Sequence, residues 1–243
     1  MIPTIIFLIP YRERKEERKC FEQHMINTIL KNQTNYEIYY CHQRDKREFN
    51  RGAMKNIGFL AMKEKYPNHY KDITYVFNDV DTMPLNENTI KTFVTTDNVI
   101  KHFYGFENTL GGILSIKGNN FEQIKGFPNL WAWGYEDNEL QNRVIKQKLS
   151  IDRSNFYHLK NPNIISKRDS NFRNMNRKES VMYKQNKLDD ITDIKNIEYE
   201  IIDKDIMITN FKTLYEPFIE YNVIYDTSYG NNPFSRGQTM KFM

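Results

Sequence analysis

Apolar residues in the first third of the chain fall into short runs separated by amphipathic stretches, a pattern typical of alternating strands and helices. The runs at residues 4–9, 36–41 and 73–78 are rich in β-branched and aromatic side chains, which predicts buried strands. Between these runs, apolar positions at helical spacing predict one helix over residues 15–31 and another from residue 53 to about 65.

This β-α-β-α-β order predicts the fold class. Crossovers of this length join parallel strands by right-handed connections, so we expect an α/β fold with a Rossmann-type, mostly parallel central sheet flanked by helices. No Gly-x-Gly-x-x-Gly motif follows the first strand. A dinucleotide cofactor is therefore not expected.

Shorter elements are predicted in the middle of the chain. Residues 100–106 and 113–116 have the composition of strands, and the second run directly follows the pair Gly111-Gly112. Residues 118–124 and 138–147 predict helices. In the second of these helices, the side chains expected to face inward are Leu140, Val144 and Ile145.

Signals beyond residue 150 are weaker. Residues 199–202 and 206–208 predict short strands, and no internal repeat or linker rich in Pro, Gly or Ser marks a second domain. We therefore predict a single domain over residues 1–212. The remaining residues, 213–243, are expected to form a partly disordered C-terminal extension.

Composition is that of a globular protein. Aromatic residues make up 14% of the 243 residues, which is too many for a disordered chain. No run of 18 apolar residues occurs, so no membrane span is predicted. Cys20 and Cys41 have neither metal-like spacing nor a disulfide pattern, which favours a reducing, cytoplasmic setting. An origin in the secretory pathway is the alternative if the chain is a truncated domain.

Basic residues are concentrated between residues 167 and 187, in a chain of net charge +4. Such a run is typical of a solvated surface or of one that attracts the phosphates of a small substrate. A nucleic-acid-binding protein would also carry such a run, and this remains an alternative function. We expect no nucleic-acid partner, because composition is the only feature that favours one.

The first acidic cluster directly follows the third predicted strand. Asp79 and Asp81 come after Asn78, and Pro84 ends the segment. The carboxyl ends of strands in open α/β sheets form the ligand crevice, and hard carboxylate oxygens suit Mg²⁺ or Mn²⁺. A turn rich in Asp and Asn, without any ligand, explains the same residues.

A second cluster combines both tryptophans of the chain with two carboxylates. It runs from Trp131 through Trp133 and Gly134 to Glu136 and Asp137. Aromatic faces stack on sugar rings, and a buried carboxylate whose pKa is raised can act as a general base. The alternative is that the tryptophans anchor the core while the two acids begin a helix, where acidic residues are favoured.

These motifs together resemble the β-1,4-galactosyltransferase family, glycosyltransferase family seven, of the GT-A fold class. The resemblance covers about residues 3–210 and follows the family's motif order. The matching segments are Pro10-Tyr11-Arg12-Glu13-Arg14, Phe49-Asn50-Arg51-Gly52, Asp79-Val80-Asp81 with Pro84, Gly111-Gly112, Gly126-Phe127-Pro128-Asn129 and Trp131-Ala132-Trp133-Gly134-Tyr135-Glu136-Asp137.

The resemblance implies an inverting, metal-dependent transferase that moves a hexose from a UDP-sugar to a hydroxyl of a glycan or glycoconjugate. The implied catalytic residues are Asp137, as the general base, and Glu136, which would position the donor and acceptor sugars together with Trp133. Asp81 would bind Mn²⁺, or Mg²⁺ in its place. The residues implied at the nucleotide are Pro10, Tyr11, Arg12, Arg14, Phe49, Arg51 and Asp79. Those implied at the donor and acceptor sugars are Thr109, Gly112, Trp133, Gly134 and Asn138.

Three positions depart from the family pattern. Thr109 replaces a larger residue and leaves room beside the donor sugar, so the sugar is expected to be galactose, N-acetylgalactosamine or a similar hexose. His158 is the candidate second metal ligand, and the alternative is that it is an ordinary hydrogen-bonded histidine. Asn138 replaces an acid, so the acceptor is left open. Residues 167–169, in contrast, resemble the family's mobile C-terminal loop, from which Arg168 is expected to reach the diphosphate. An inactive module that binds sugar or nucleotide is the main alternative function.

Overall fold

The computed structural model describes residues 1–167, 171–229 and 234. Its strands in chain order are β1 (Ile5–Tyr11), β2 (Tyr36–Gln43), β3 (Thr74–Asn78), β4 (Thr82–Pro84), β5 (Val99–Gly105), β6 (Ile113–Lys117), β7 (Ser150–Asp152), β8 (Tyr157–His158), β9 (Ile164–Ser166), β10 (Phe172–Asn176), β11 (Lys195–Ile202), β12 (Asp205–Lys212) and β13 (Asn222–Asp226). The helices are α1 (Lys15–His24), α2 (Arg51–Lys65), α3 (Gly118–Gln123), α4 (Glu136–Lys146) and α5 (Arg177–Lys184). A π-helical turn, Met25–Ile29, extends α1.

Within the described residues, nine strands form one mixed sheet in the order β11-β12-β2-β1-β3-β6-β5-β7, and β8 also pairs with β5. Strand β1 runs parallel to β2 and β3, while β6 is antiparallel to β3. The carboxyl ends of β1, β2 and β3 therefore meet at one edge of the sheet. Two smaller ladders, β4 with β9 and β10 with β13, lie off this sheet.

Each face of the sheet packs against its own apolar core. Helix α2 covers one face together with the aromatic residues around Phe121, and α1 covers the other with Phe21 and Met25. Most of α2 is buried, because the chain segment after α3 packs across it. At Gly52 a Cβ atom would lie 1.9 Å from the Pro128 carbonyl oxygen, so only glycine permits this approach.

The predicted α/β architecture and its first three strands are confirmed, and so are β5, β6 and the helices assigned from the sequence. Leu140 and Val144 of α4 are buried as predicted, but Ile145 is 59% exposed and that prediction was wrong. The hairpin of β11 and β12 is longer than the two short strands predicted there. Strands β4, β7–β10 and β13 and helix α5 were not predicted.

The predicted boundary at residue 212 stays a prediction. Strand β13 lies in the predicted C-terminal extension and pairs with β10, so this part of the extension is regular structure. The other end of the predicted extension, residues 230–233 and 235–243, lies outside the described residues. Among the described helices, none combines the length and apolar character needed to cross a bilayer. The expected cytoplasmic location stays a prediction.

Candidate active site

A cleft of about 370 Å³ opens at the carboxyl edge of β1 and β3. Of the residues proposed from the sequence, those that line it are Pro10, Arg12, Arg14, Phe49, Arg51, Asp79, Asp81, Thr109, Gly112, Trp133 and Asp137. A larger open groove of about 680 Å³ lies beside α1, but there Arg18 and Asp205 already pair with each other at 2.6 Å. We therefore place the candidate chemistry in the smaller cleft, where several carboxylates and arginines converge.

The first acidic cluster is shaped by a turn that ends β3. The Asn78 side chain donates hydrogen bonds to the carbonyl oxygens of Asp79 (2.7 Å) and Thr82 (2.8 Å), which bends the chain away from the strand. Arg51 Nη2 lies 2.7 Å from Asp79 Oδ1, and Arg14 Nη1 lies 3.5 Å from Asp81 Oδ2. The turn that was the alternative explanation is therefore present, and it delivers both carboxylates to the cleft.

Arg51 is the central cation of the site. Its second terminal nitrogen, Nη1, lies 3.4 Å from Glu136 Oε1, so one guanidinium joins the two acidic clusters. Burial alone would lower the pKa of Arg51, but the negative charges of Asp79 and Glu136 outweigh burial and raise it. The fork of Arg51 thus holds the loop after β3 against the start of α4.

The two tryptophans have different roles. Trp131 is 3% exposed, stacks on Phe211 at 5.5 Å and donates its indole N–H to the Tyr215 carbonyl oxygen at 2.8 Å. It is a core anchor, as the alternative interpretation held. Trp133 lines the cleft, and its backbone N–H donates to the Asn174 carbonyl oxygen at 2.8 Å. Trp131 also borders the cleft, but of the two tryptophans only Trp133 is partly exposed and offers its ring to a ligand.

A buried carboxylate from α5 holds this tryptophan loop in place. Glu179 is 3% exposed and accepts hydrogen bonds from the backbone N–H groups of Trp131 (2.8 Å) and Ala132 (3.1 Å). Burial raises the pKa of Glu179 to about 7, although these two hydrogen bonds oppose the change. The loop conformation therefore depends on a residue 48 positions away in sequence.

The raised pKa of Glu179 predicts a pH dependence of stability. The folded state binds this proton more tightly than the unfolded state, so the contribution to the free energy of unfolding is full below pH 4.5 and is lost as the pH rises through about 7. Denaturant titrations at a series of pH values should show this fall in the wild type. Glu179→Gln should flatten it, and an unchanged slope in that variant would contradict the assignment.

Asp137 lies in the first turn of α4 and is held by three contacts. Its carbonyl oxygen accepts from the Leu110 N–H at 3.0 Å, and its Oδ1 lies 3.5 Å from Lys55 Nζ. Its Oδ2 lies against Gly111, where a Cβ atom would come within 2.2 Å of that oxygen. Burial raises the pKa of Asp137 to about 6, which Lys55 opposes and Glu136 reinforces. Asp137 is thus poised to exchange a proton near neutral pH.

Tyr11 lies elsewhere than the resemblance implied. Successive residues of a strand point to opposite faces of the sheet, so Pro10 lines the cleft while the Tyr11 ring packs against Tyr40 and His42. Tyr11 is only 3% exposed. It supports the α1-side core and does not line the candidate nucleotide site.

Glu136 and Gly134 do not line the cleft either, but they shape it. Glu136 is 4% exposed, and its Oε2 accepts from the Gly134 N–H at 3.1 Å. Gly134 has a φ of 110°, a conformation that favours glycine. Glu136 is therefore placed as a structural partner of Arg51, and Asp137 is the acid at the cleft surface.

Two further predicted residues lie outside the cleft lining. Asn138 is half-buried in the first turn of α4. The exposed His158 ring packs against Phe156, with ring centres 4.9 Å apart. No group of three or more His, Cys, Asp or Glu in the described ranges could hold a metal ion. A metal role for His158 stays a prediction, and Arg168 lies outside the described residues.

Sequence reasoning missed several cleft residues. Phe172, Arg173 and Asn174 of β10 line the cleft, although their stretch was treated as irregular and basic. Lys55 was also missed. The available signal was a lysine four residues after Arg51, on the same face of a helix that is otherwise apolar there.

Comparisons with known proteins agree with this geometry. Two family profiles match consecutive parts of the chain: the N-terminal region of glycosyl transferase group 7 over residues 3–93, and the N-terminal domain of galactosyltransferase over residues 93–167. Human beta-1,4-galactosyltransferase 1 is 32% identical over 160 residues, covering 62% of this chain and 39% of the relative. Drosophila melanogaster beta-1,4-galactosyltransferase 7 is 28% identical over 220 residues, covering 83% and 64%. The chain thus spans 39% of the length of the human relative and 64% of the length of the Drosophila relative.

Two crystal structures of Drosophila beta-1,4-galactosyltransferase 7 share the fold. One is a complex with manganese, UDP-Gal and xylobiose, with a TM-score of 0.66 and 22% identity. The other is the catalytic domain with xylobiose, with a TM-score of 0.67 and 24% identity. Each alignment covers 88% of this chain and 96% of the other. The predicted GT-A fold is confirmed.

Proposed function

The chain belongs to glycosyl transferase group 7, and from this premise we propose that it is a metal-dependent inverting transferase that moves a hexose from a UDP-sugar to a hydroxyl of a glycan or glycoconjugate. The observation that carries the proposal is the position of Asp137. A carboxylate with a pKa of about 6 lines the same cleft as the acidic loop after β3 and the two arginines that follow the end of β1.

The donor would lie along the basic and aromatic part of the cleft. Arg12 and Arg14 follow the end of β1, where guanidinium groups suit bidentate contacts with phosphate. Phe49 offers a ring to the uracil, and Asp79 an acceptor to a ribose or sugar hydroxyl. Supporting this assignment, a relative of the same fold was crystallised with UDP-Gal.

Asp81 fits a divalent cation that binds together with the donor. Its side chain is 18% exposed at the cleft surface, and burial followed by the nearby charge of Asp79 raises its pKa. The charges of Arg51 and Arg14 oppose this rise in pKa but do not cancel it, so a further cation at Asp81 would be favourable. Mg²⁺ and Mn²⁺ are held by one or two carboxylates together with substrate phosphates and water, so a single protein ligand suffices. When bound, the cation would neutralise charge on the departing diphosphate.

Asp137 and Trp133 would act on the acceptor. Trp133 offers its face to the sugar ring, and Asp137 takes the proton of the attacking hydroxyl as the oxygen bonds to the anomeric carbon. The bond from that carbon to UDP breaks on the opposite side, which inverts the configuration. Thr109 keeps its small side chain at the cleft, so galactose, N-acetylgalactosamine and related hexoses are the donors to compare.

A panel of UDP-sugars, each with Mn²⁺ or with EDTA, tests the proposal through UDP release and product analysis. Xylosides belong among the acceptors, since the Drosophila relative was crystallised with xylobiose. We expect turnover with one hexose donor in Mn²⁺ and none in EDTA, with inverted linkage in the product. Donor binding without turnover for any acceptor would favour the inactive module. A polyanion affinity that falls steeply with salt, without UDP binding, would favour nucleic acid.

Asp81→Asn is expected to remove most of the Mn²⁺-stimulated turnover, because a neutral amide binds a hard dication more weakly than a carboxylate. Rates measured over a Mn²⁺ titration should show a higher metal requirement in this variant. Asp97→Asn, on the exposed surface away from the cleft, serves as the control and should match the wild type. An unchanged Mn²⁺ dependence in Asp81→Asn would contradict the metal assignment.

A further inference from the structure

Lys55 is a lysine in an unusual place. Its side chain is only 2% exposed, on the face of α2 that packs beneath the cleft. Lysine is almost never this buried without a partner, because the ammonium group loses its hydration. A compensating interaction is therefore expected at Nζ.

Two groups surround this ammonium. Lys55 Nζ lies 3.5 Å from Asp137 Oδ1 and 4.3 Å from the centre of the Phe127 ring. The aromatic face gives a cation–π contact and excludes water from one side. The carboxylate then supplies the counter-charge on the other side. The fold has placed the ammonium against one oxygen of the residue proposed as the base.

We propose that Lys55 is a positioning residue for the base, holding Asp137 Oδ1 so that Oδ2, beside Gly111, receives the proton of the acceptor hydroxyl. This inference rests on the proposed function. Its geometric support is that Gly111 and Asp137 both line the cleft and that Oδ2 lies against Gly111, where only glycine leaves room for it, since a Cβ there would lie 2.2 Å from that oxygen. Oδ1 of Asp137 thus pairs with Lys55, while Oδ2 lies against Gly111 in the cleft wall.

The charges around Asp137 come from three elements. Helix α2 contributes Lys55 and Arg51, which lower the pKa of Asp137, while Glu136 of α4 and Asp79 after β3 raise it. Burial is the largest effect and raises it as well. Among the charged neighbours, Lys55 acts most strongly, so it is the group that keeps the base ionised near neutral pH.

The direct test compares Lys55→Met, Lys55→Arg and Lys63→Met in the active enzyme. Methionine keeps the volume and removes the charge, so we expect the acidic limb of the kcat/KM profile to move up by about 1–2 pH units, which lowers kcat/KM at pH 7 about 2- to 10-fold. Lys55→Arg should restore the limb toward its wild-type position. Lys63→Met is the matched control, since Lys63 is on the same helix and pairs with Glu122 at the surface.

A second readout does not depend on activity. The carboxyl ¹³C resonance of Asp137, assigned by its absence in Asp137→Asn, can be titrated in the wild type and in Lys55→Met and Lys55→Gln. We expect its midpoint to rise in both variants and to stay in place in Lys63→Met. An unchanged midpoint in folded variants overturns the role of Lys55. A raised midpoint in a protein without transferase activity would instead overturn the proposed function and leave the pairing intact.

Discussion

Asp137→Asn is expected to lower kcat for sugar transfer by about 10²- to 10⁴-fold, the range that a positioned general base contributes. Asparagine keeps the shape of the side chain and its place at the start of α4, but it cannot accept the proton of the attacking hydroxyl. Donor KM should change little, because Arg12, Arg14 and Phe49 are untouched. Initial rates of product formation, measured with saturating UDP-sugar and Mn²⁺, give both constants.

The wild-type pH profile provides a second part of this test. With the pKa of Asp137 raised to about 6, kcat/KM should rise with pH through that value, as the carboxylate loses its proton. Asp137→Asn should lose this limb. Glu139→Gln, which removes an acid of the same helix turn that pairs with Arg143 outside the cleft, should keep it. A full rate in Asp137→Asn would show that another group takes the proton.

The parts of this molecule that sequence predicts well are those set by local pattern. β1, β2 and β3 are continuous apolar runs, and two parallel connections force their carboxyl ends to one edge of the sheet. Asp79 and Asp81 follow one of these ends directly, so their place in the cleft follows from topology. The hydrophobic pattern gave the position of these two residues, and only the resemblance to the family implied what each of them does in the reaction.

The parts that sequence missed depend on partners far along the chain. Glu179 fixes Trp131 from 48 residues away, and Lys55 meets Asp137 across 82 residues. No periodicity in one segment encodes such a pair. The prediction that Tyr11 lines the nucleotide site failed for a different reason. The family motif is a run of consecutive residues, but the side chains of consecutive residues in a strand point to opposite faces of the sheet.

Helix α4 shows a third limit of local reasoning. Helical spacing places Leu140, Val144 and Ile145 on one face of α4. It does not show how much of that face the neighbouring elements cover. Leu140 and Val144 belong to the apolar core on the α2 side of the sheet, while Ile145 is 59% exposed. The width of a buried face is set by the neighbouring elements, and the sequence of one helix does not contain it.

Arg51→Met should have the largest effect on folding, because one guanidinium compensates two acids. Arg51 is 21% exposed and Glu136 is 5% exposed, and both Asp79 and Glu136 would lose their cation. Breaking a buried pair by removing one partner costs about 3–5 kcal/mol. For a chain of this size we expect a fall in Tm of about 6–20 °C, since each kcal/mol corresponds to about 2–4 °C. Thermal unfolding without ligand measures this directly.

Arg18→Met is the control that separates the loss of stability caused by removing any paired arginine from the damage to the candidate site. Arg18 is 23% exposed, pairs with Asp205 at 2.6 Å and lies outside the cleft, so its loss should lower Tm without weakening UDP binding. Arg51→Met should lower both. Adding Asp79→Asn and Glu136→Gln to Arg51→Met should recover much of the stability, because the uncompensated charges are gone, but not the binding. If the triple variant is no more stable than Arg51→Met, the cost lies in lost packing of the guanidinium and not in unpaired carboxylates.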